Sequence, residues 1–231
     1  MAEPLVTVIV AAYNGEAFLR EALESLVAQE FVSYETVFVD DGSTDATAEI
    51  ARSFPVRYHF QENQGLPAAR NAGLAMARGE LIAFLDDDDV LPPTKLDVQA
   101  RYLLGHPETG CVLGRQEWIF ENGRPPPELK RDPVFGDLGG VALGSAMIRG
   151  SVLADLGGFD RSYAYAEDRD LFVRLREHGV EIALLADVVL FRRLHDSNMI
   201  LNPPRNHPLL RSLREKVHRE RLRGEASDGE E

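Results

Sequence analysis

The 231-residue sequence contains a single cysteine, Cys111. One thiol excludes an internal disulfide framework and a cysteine metal site within the chain. Because the apolar residues Val112 and Leu113 follow it, we expect Cys111 to be a small residue of the core.

Basic residues are outnumbered: 25 Lys and Arg stand against 38 Asp and Glu, which gives a formal net charge of −13. Contacts to nucleic-acid phosphates need clustered Lys and Arg, so this balance argues against a nucleic-acid partner. It favours a protein whose acidic side chains hold a metal ion.

Long apolar runs are also missing near the N-terminus. The run at residues 5–12 is too short for a signal peptide or a membrane span, and no basic segment precedes it. We therefore predict a cytoplasmic protein. A hydrophobic content of 44% and a length of 231 residues are typical of one large α/β domain.

Apolar runs and amphipathic segments alternate along the first hundred residues. The runs at 5–12, 36–39, 56–60 and 81–85 predict strands, and helices are predicted after each of them, with Asn14 and Asp45 as N-caps of the first two. This alternation predicts a mostly parallel central sheet flanked by helices, in which ligands bind outside the carboxyl ends of the strands.

Acidic side chains gather at two of these strand ends. Asp40 and Asp41 follow the second strand, and the fourth is followed by Asp86, Asp87, Asp88 and Asp89. Adjacent carboxylates at the end of a buried strand repel one another unless a cation or hydrogen-bond donors offset their charge. The pattern indicates a divalent-metal site, with a solvated acidic loop as the alternative.

In the second half of the sequence, predicted strands and helices no longer alternate regularly. We predict one or two strands at 111–120, a proline-rich surface loop at 124–136, a strand at 141–148, helices at 151–156 and 166–178, and two strands at 181–186 and 188–191. Residues 205–223 predict a basic helix that either packs on the domain or touches an anionic membrane surface. The acidic end, 224–231, is predicted to be disordered.

Six segments, in order, carry a resemblance to a known family. They are VTVIVAAYNGEAFLREALESLVAQ, VFVDDGSTDAT, NQGLPAARNAGLAMARGELIAFLDDDDVLPP, GGFD, AEDRDLFVRL and FRRLHDSN. With them the sequence resembles the family 2 glycosyltransferases of the GT-A fold. The resemblance implies inverting transfer of a sugar from a nucleotide diphospho-sugar, with Mn²⁺ or Mg²⁺ bound through a DxD-type motif.

The resemblance also assigns roles to individual residues. Those implied to bind the nucleotide sugar are Ala11, Ala12, Tyr13, Asp40, Asp41, Arg70, Asp86 and Asp87. Asp88 is implied as the metal ligand, with Asp86 in the same motif and His195 as a further ligand in some members. Asp168, in the pair Glu167–Asp168, is implied as the catalytic base.

Several of these residues also have a purely structural interpretation. Asp41 could be a turn residue, Arg70 could pair with a surface acid, and the acids of the Glu167–Asp168 pair could simply stabilise a helix N-terminus. Trp118 could belong to the core or form an acceptor platform. Two positions depart from the family pattern: the middle position of the metal motif is Asp87, and Arg169 stands where an aromatic residue is frequent.

The resemblance predicts one catalytic GT-A domain over residues 1–204. Its half at 1–105 would bind the donor, expected to be a UDP-sugar, and its half at 106–204 the acceptor, which is a carbohydrate, a lipid-linked compound or another hydroxyl compound. The tail, 205–231, would supply any peripheral membrane contact. The alternatives are a sugar-nucleotide-binding domain without turnover, a nucleotidyltransferase, and a phosphohydrolase of the haloacid dehalogenase type.

Overall fold

Seven strands form one mixed sheet in the computed structural model, which describes residues 3–120, 142–163 and 166–195. The strands are β1 (Val6–Ala12), β2 (Tyr34–Asp40), β3 (Arg57–Phe60), β4 (Leu81–Asp86), β5 (Thr109–Phe120), β6 (Ala146–Arg149) and β7 (Glu181–Leu194). They lie in the order β3-β2-β1-β4-β6-β5-β7. The mixed α/β fold predicted from the sequence is therefore confirmed.

The first four strands are parallel, as the alternating pattern predicts. β1 pairs with β2 on one side and β4 on the other, so that Ala12 is opposite Asp40 and Ala11 is opposite Asp86. All seven residues of β1 are buried, as expected for the central strand of a sheet covered on both faces. The register brings the two acidic strand ends to either side of the end of β1.

The remaining strands change direction. β6 is antiparallel to β4 and β5, and β5 pairs in parallel with β7. The prediction of two strands at 181–186 and 188–191 is wrong. β7 is continuous over 14 residues, because register shifts near Arg115 absorb the extra residues while the backbone stays extended.

The predicted strand at 141–148 is shorter than expected. Its first part forms a 3₁₀ turn (Leu143–Ser145), and only Ala146–Arg149 pairs in the sheet. The N–H and Oγ of Ser145 both donate to the carbonyl oxygen of Ala142, at 2.9 and 2.7 Å. This local bonding competes with strand formation.

Six α-helices cover the sheet within the described ranges: α1 (Leu19–Val27), α2 (Thr47–Arg52), α3 (Leu66–Met76), α4 (Lys95–Gly105), α5 (Gly150–Asp155) and α6 (Glu167–Glu177). Apolar residues of α1 and α4 pack with Val8 and Val10 of β1. Those of α5 and α6 pack with Ile9, from the opposite face of the same strand. No helix within the described ranges is long and apolar enough to span a membrane.

The loop after β1 is bonded to the loop after β2. The side-chain oxygen of Asn14 accepts from the N–H of Thr44 at 2.8 Å, and the N–H of Asn14 donates to Ser43 Oγ at 3.0 Å. Asn14 has a left-handed φ of 55°, and α1 begins only at Leu19. The prediction that Asn14 caps α1 is therefore wrong, because its side chain bonds to the neighbouring loop instead.

Asp45 bonds to the start of the next helix. Its Oδ1 accepts from the N–H of Thr47, the first residue of α2, at 3.0 Å. Its Oδ2 accepts from the N–H of Glu16 at 3.1 Å, and the Glu16 carboxylate accepts from the N–H of Ala46. The N-cap of α2 is Ala46, so the prediction that Asp45 caps this helix is wrong. Asp45 lies one residue before the cap, where its side chain bonds to the first N–H of the helix and also joins the two loops.

Contacts group Met1–Leu194 into one compact unit, and a second unit begins at His195. The predicted loop at 124–136, the predicted boundary after residue 204, the basic tail at 205–223 and the acidic end lie outside the described residues.

Candidate active site

The candidate site lies at the carboxyl ends of β1, β2 and β4. Ala11 and Ala12, the last residues of β1, are buried between the two acidic strand ends. Tyr13 follows them and leaves 52% of its surface exposed. An exposed aromatic ring beside buried small residues offers a surface on which a planar base can stack.

Asp41 organises the segment between β3 and α3. Its Oδ1 accepts from Gln61 Nε2 at 2.7 Å and from the N–H of Gln64 at 2.9 Å, and its Oδ2 accepts from the N–H of Gly65 at 2.8 Å. Only 3% of Asp41 is exposed. The carboxylate thus fixes the loop that precedes α3. This role goes beyond that of a residue in the turn after β2.

Asp40 lies deeper than Asp41. It has no exposed surface, and its two oxygens accept from the N–H of Ser43 at 2.8 Å and from the hydroxyl of Tyr58 at 2.6 Å. Both of its oxygens therefore bond to protein donors that fix the end of β2.

The four aspartates at the end of β4, here called the acidic turn (residues 86–89), have different surroundings. Asp86 and Asp88 are half-buried, whereas only 2% of Asp89 is exposed. Asp87 packs against Gly15 so closely that a side chain at that glycine would overlap its carboxylate. Burial, with the charges of Asp88 and Asp86, raises the pKa of Asp87 to about 8.

Arg70 joins the acidic turn to the start of α6. Its Nη2 donates to Asp86 Oδ1 at 2.7 Å, and its Nη1 donates to Glu167 Oε1. The guanidinium lies over the ring of Phe159, and only 4% of Arg70 is exposed. Burial alone would lower the pKa of Arg70, but the nearby charges of Asp86, Glu167 and Asp168 raise it.

Glu167 and Asp168 begin α6 but differ in exposure. Only 5% of Glu167 is exposed, and burial raises its pKa more than Arg70 lowers it. Asp168 is half-buried, and its Oδ1 accepts from the N–H of Arg169 at 2.7 Å. Ala166, just before the pair, has a left-handed φ of 66°, which is strained for a residue with a side chain. The strained turn and the Arg70 bridge bring the pair to the acidic turn.

The sequence profile described as Glycosyl transferase family 2 matches residues 7–151, more than half of the chain. The chain belongs to glycosyl transferase family 2. The family predicted from the six segments is confirmed.

Two glycosyltransferases are similar to this chain, one over most of it and the other over about a third. An uncharacterised glycosyltransferase of Rickettsia typhi is 31% identical over 210 residues, covering 84% of this chain and 65% of the relative. Glycosyltransferase GlyA of Streptococcus pneumoniae is 46% identical over 89 residues, covering 36% of this chain and 13% of the relative. The chain thus spans less than two thirds of the length of these relatives.

Solved structures share the GT-A fold of this family 2 member. S. aureus TarS 1–349 in complex with UDP-GlcNAc matches with a TM-score of 0.73 and 25% identity, over 88% of this chain and 62% of that one. Mannosyltransferase PcManGT from Pyrobaculum calidifontis, in complex with GDP-Man and Mn²⁺, matches with a TM-score of 0.67 and 23% identity, over 86% and 59%. The GT-A topology predicted from the resemblance is confirmed.

The acidic turn of this family 2 chain supplies oxygen ligands of the kind that Mg²⁺ and Mn²⁺ prefer. Within the described ranges, no group of three or more His, Cys, Asp or Glu side chains is arranged to hold a metal ion. Mg²⁺ is usually bound by one or two carboxylates together with phosphate oxygens and water. The half-buried carboxylates of Asp86 and Asp88 fit a metal of that kind.

Two other predicted residues lie farther along the chain. Trp118, at the carboxyl end of β5, is half-buried; its ring stacks with that of Phe120, and the Arg192 guanidinium lies 5.3 Å from its centroid. His195 is the last described residue and belongs to the second compact unit. Its role as a metal ligand stays a prediction.

Asn71 and Arg193 also support the site, although neither was predicted from the sequence. The side chain of Asn71 bonds to the backbone of Phe159, just upstream of α6, and Arg193 of β7 bonds to the acidic turn. Both act mainly on backbone groups of segments remote in sequence, and such contacts leave no local pattern. The only signals were the positions of Asn71 in the AARN segment and of Arg193 in the FRRLHDSN segment.

Proposed function

We propose that this chain is the catalytic domain of an inverting glycosyltransferase, which moves a sugar from a nucleotide diphospho-sugar to an acceptor hydroxyl. The observation that carries the proposal is the Arg70 bridge between Asp86 and Glu167. This bridge joins the acidic turn to Glu167, the residue next to the proposed base Asp168, and so supports a single site made of both. The glycosyltransferase names of the relatives support the same conclusion.

Asp168 is the proposed catalytic base. An acceptor hydroxyl is a weak nucleophile, and a positioned carboxylate that takes its proton contributes roughly 10²–10⁴ in rate. As the acceptor oxygen bonds to the anomeric carbon, the bond from that carbon to the diphosphate oxygen breaks, and the proton moves to Asp168. Its half-buried position leaves the carboxylate accessible for this transfer.

Glu167 acts through Arg70 rather than on the acceptor. Its carboxylate is buried and already accepts from the Arg70 guanidinium. This pair fixes the N-terminus of α6 against the acidic turn, so that Asp168 stays aligned with the donor. Positioning of this kind matters because small displacements of a catalytic group reduce the rate strongly.

The donor would bind along the carboxyl ends of β1, β2 and β4. Its base and ribose would lie against Ala11, Ala12, Tyr13 and the Asp40–Asp41 end, with Asp87 beside the loop at Gly15. Asp88 and Asp86 would hold Mn²⁺ or Mg²⁺. A bound divalent cation neutralises the charge that develops on the leaving diphosphate. UDP is the proposed nucleotide, in line with the UDP-GlcNAc complex of TarS.

The test replaces Asp168 with Asn and measures donor turnover together with donor binding. We expect Asp168→Asn to lose at least about 10²-fold in kcat, because the amide cannot accept the proton, while donor binding changes little. Glu177→Gln, which removes one negative charge from the exposed end of the same helix, is the matched control.

Full turnover in Asp168→Asn would contradict the assignment of the base. If the unaltered protein binds the donor but neither transfers its sugar nor slowly hydrolyses it, the result would instead support a binding domain without turnover.

A further inference from the structure

We infer that Arg193 is a positioning residue for the metal site, because it fixes the backbone of the acidic turn from strand β7. This inference rests on the proposed function, in which Asp88 holds the cation. Arg193 is buried, with 8% of its surface exposed, although it stands near the end of a strand.

Arg193 contacts the acidic turn at two consecutive residues. Its backbone N–H donates to Asp89 Oδ1 at 2.9 Å, and its Nε donates to the carbonyl oxygen of Asp88 at 3.0 Å. The second bond holds the peptide of the proposed metal ligand itself. The direction of the Asp88 side chain depends on that peptide.

The same guanidinium is held in place by α1. Its Nη2 donates to Glu21 Oε2 at 2.5 Å, and it lies 4.9 Å from the centroid of the Phe18 ring. Only a planar group with several fixed donors can meet a carbonyl, a carboxylate and an aromatic face at once, so lysine is a poor substitute here.

The acidic turn has a further attachment to β7. The N–H of Val90 donates to the carbonyl oxygen of Phe191 at 2.9 Å, and the N–H of Phe191 donates back to Val90 at 2.8 Å. Within the turn, the N–H of Asp89 donates to the carbonyl oxygen of Asp86 at 3.2 Å. Beyond Asp86 the turn is thus held by β7, and the Arg193 side chain adds the bond to the Asp88 carbonyl oxygen.

The positive charge of Arg193 also helps to hold the acidic turn in place. Four consecutive carboxylates favour conformations that separate them, and the buried Arg193 guanidinium, bonded to the carbonyl oxygen of Asp88, opposes that tendency. Loss of Arg193 should therefore release the turn and weaken cation binding. Groups that bind a metal ligand from outside typically change metal affinity by roughly 10–100-fold when they are removed.

The test is Arg193→Gln, with Mn²⁺ titrated calorimetrically into the full chain in the presence of UDP and, in a parallel series, GDP. We expect the Kd for Mn²⁺ to rise about 10-fold or more. Arg149→Gln is the matched control, because Arg149 also bonds backbone carbonyls, those of Thr109 and Leu103, but lies near the start of β4. Both variants should lose some thermal stability, whereas only Arg193→Gln should lose Mn²⁺ affinity.

Arg193→Lys serves where the glutamine variant does not fold. It keeps the charge but cannot bond the Asp88 carbonyl and Glu21 together, so Mn²⁺ affinity should again fall, by no more than in Arg193→Gln. A folded variant with a Kd for Mn²⁺ equal to that of the unaltered protein would overturn the inference alone. If the unaltered protein takes up no Mn²⁺ with either nucleotide, the proposed metal site fails, and this inference fails with it.

Discussion

At the scale of the residue, Arg70 holds the site together because one guanidinium neutralises acids from two distant parts of the chain. It donates to Asp86 at the end of β4 and to Glu167 at the start of α6. Removing one partner of a buried pair leaves the other charge without compensation, which is strongly unfavourable. Because Arg70 belongs to α3, the site stays intact only while this helix keeps its position relative to Asp86 and Glu167.

Lys95 is a second buried cation, placed away from the candidate site. It has no exposed surface; its Nζ donates to Gln99 Oε1 at 2.7 Å and contacts the carbonyl oxygen of Ala146. Burial lowers the pKa of Lys95 to about 7. Cys111 shares this region, and burial raises the pKa of its thiol to about 12, as expected for an unreactive core cysteine.

The pKa of Lys95 predicts a pH-dependent stability that Lys95→Met removes. Between pH 7 and about 10, the folded protein binds fewer protons at this position than the unfolded chain, so Lys95 contributes stability that increases with pH. The unfolding free energy of the unaltered protein relative to Lys95→Met should therefore rise by roughly 1–2 kcal/mol from pH 7 to 8.5. Denaturant unfolding at both pH values measures this difference.

Other groups titrate in the same window but are present in both proteins. The raised pKa of Asp87, about 8, lowers stability as the pH rises towards that value, and its contribution cancels in the comparison. If the difference in unfolding free energy between the unaltered protein and Lys95→Met does not change with pH, the lowered pKa of the buried Lys95 is contradicted.

At the scale of the element, the segment before α6 decides where Asp168 lies. Asn71 of α3 holds this segment with two bonds: its Nδ2 donates to the carbonyl oxygen of Phe159 at 2.7 Å, and its Oδ1 accepts from the N–H of Phe159 at 2.8 Å. The ring of Phe159 in turn lies beneath Arg70 and packs edge-on against Phe84 of β4. α3 thus connects the donor side of the site to the proposed base.

Asn71→Asp should loosen this connection while keeping the shape of the side chain. A carboxylate accepts from the Phe159 N–H but cannot donate to its carbonyl, which should cost about 1–3 kcal/mol of stability. We expect kcat to fall more than donor affinity, because the displaced element carries Asp168 rather than the nucleotide site. Thermal unfolding and steady-state kinetics check both parts. Unchanged stability and kcat would show that the Phe159 bonds do not position α6.

The sequence predicts those elements whose pattern is local. β1, β2 and β4 are short apolar runs that end at polar residues, and burial on both faces makes them recognisable. The 3₁₀ turn at Leu143–Ser145 and the continuous β7 were not predicted, because they depend on two bonds from Ser145 to one carbonyl oxygen and on a bulged pairing with β5. Neither feature changes the hydrophobic pattern.

At the scale of the whole molecule, the fold places four parallel strands side by side so that their carboxyl ends share one edge. This topology explains why carboxylates at Asp41 and Asp86, far apart in sequence, end on either side of β1. The parallel pattern and the family resemblance were sufficient to predict this convergence. They could not predict that Asp40 is buried against Tyr58, or that Arg193 reaches the acidic turn, since both depend on contacts between distant segments.

The proposed donor site is tested most directly by a thermal melt with UDP, GDP, dTDP and CDP, each with and without Mn²⁺. A ligand at about a hundred times its Kd stabilises by roughly 2.7 kcal/mol, which is about 5–10 °C for a domain of this size. We expect one nucleotide to raise Tm by this amount only when Mn²⁺ is present, because phosphate oxygens and the acidic turn bind the cation together.

Asp88→Asn is the control for that melt, and it should abolish the Mn²⁺-dependent part of the shift while leaving the fold intact. A Mn²⁺-dependent shift that Asp88→Asn removes would support the acidic turn as the donor site of a glycosyltransferase. If no nucleotide raises Tm in the presence of Mn²⁺, the proposed donor site is contradicted.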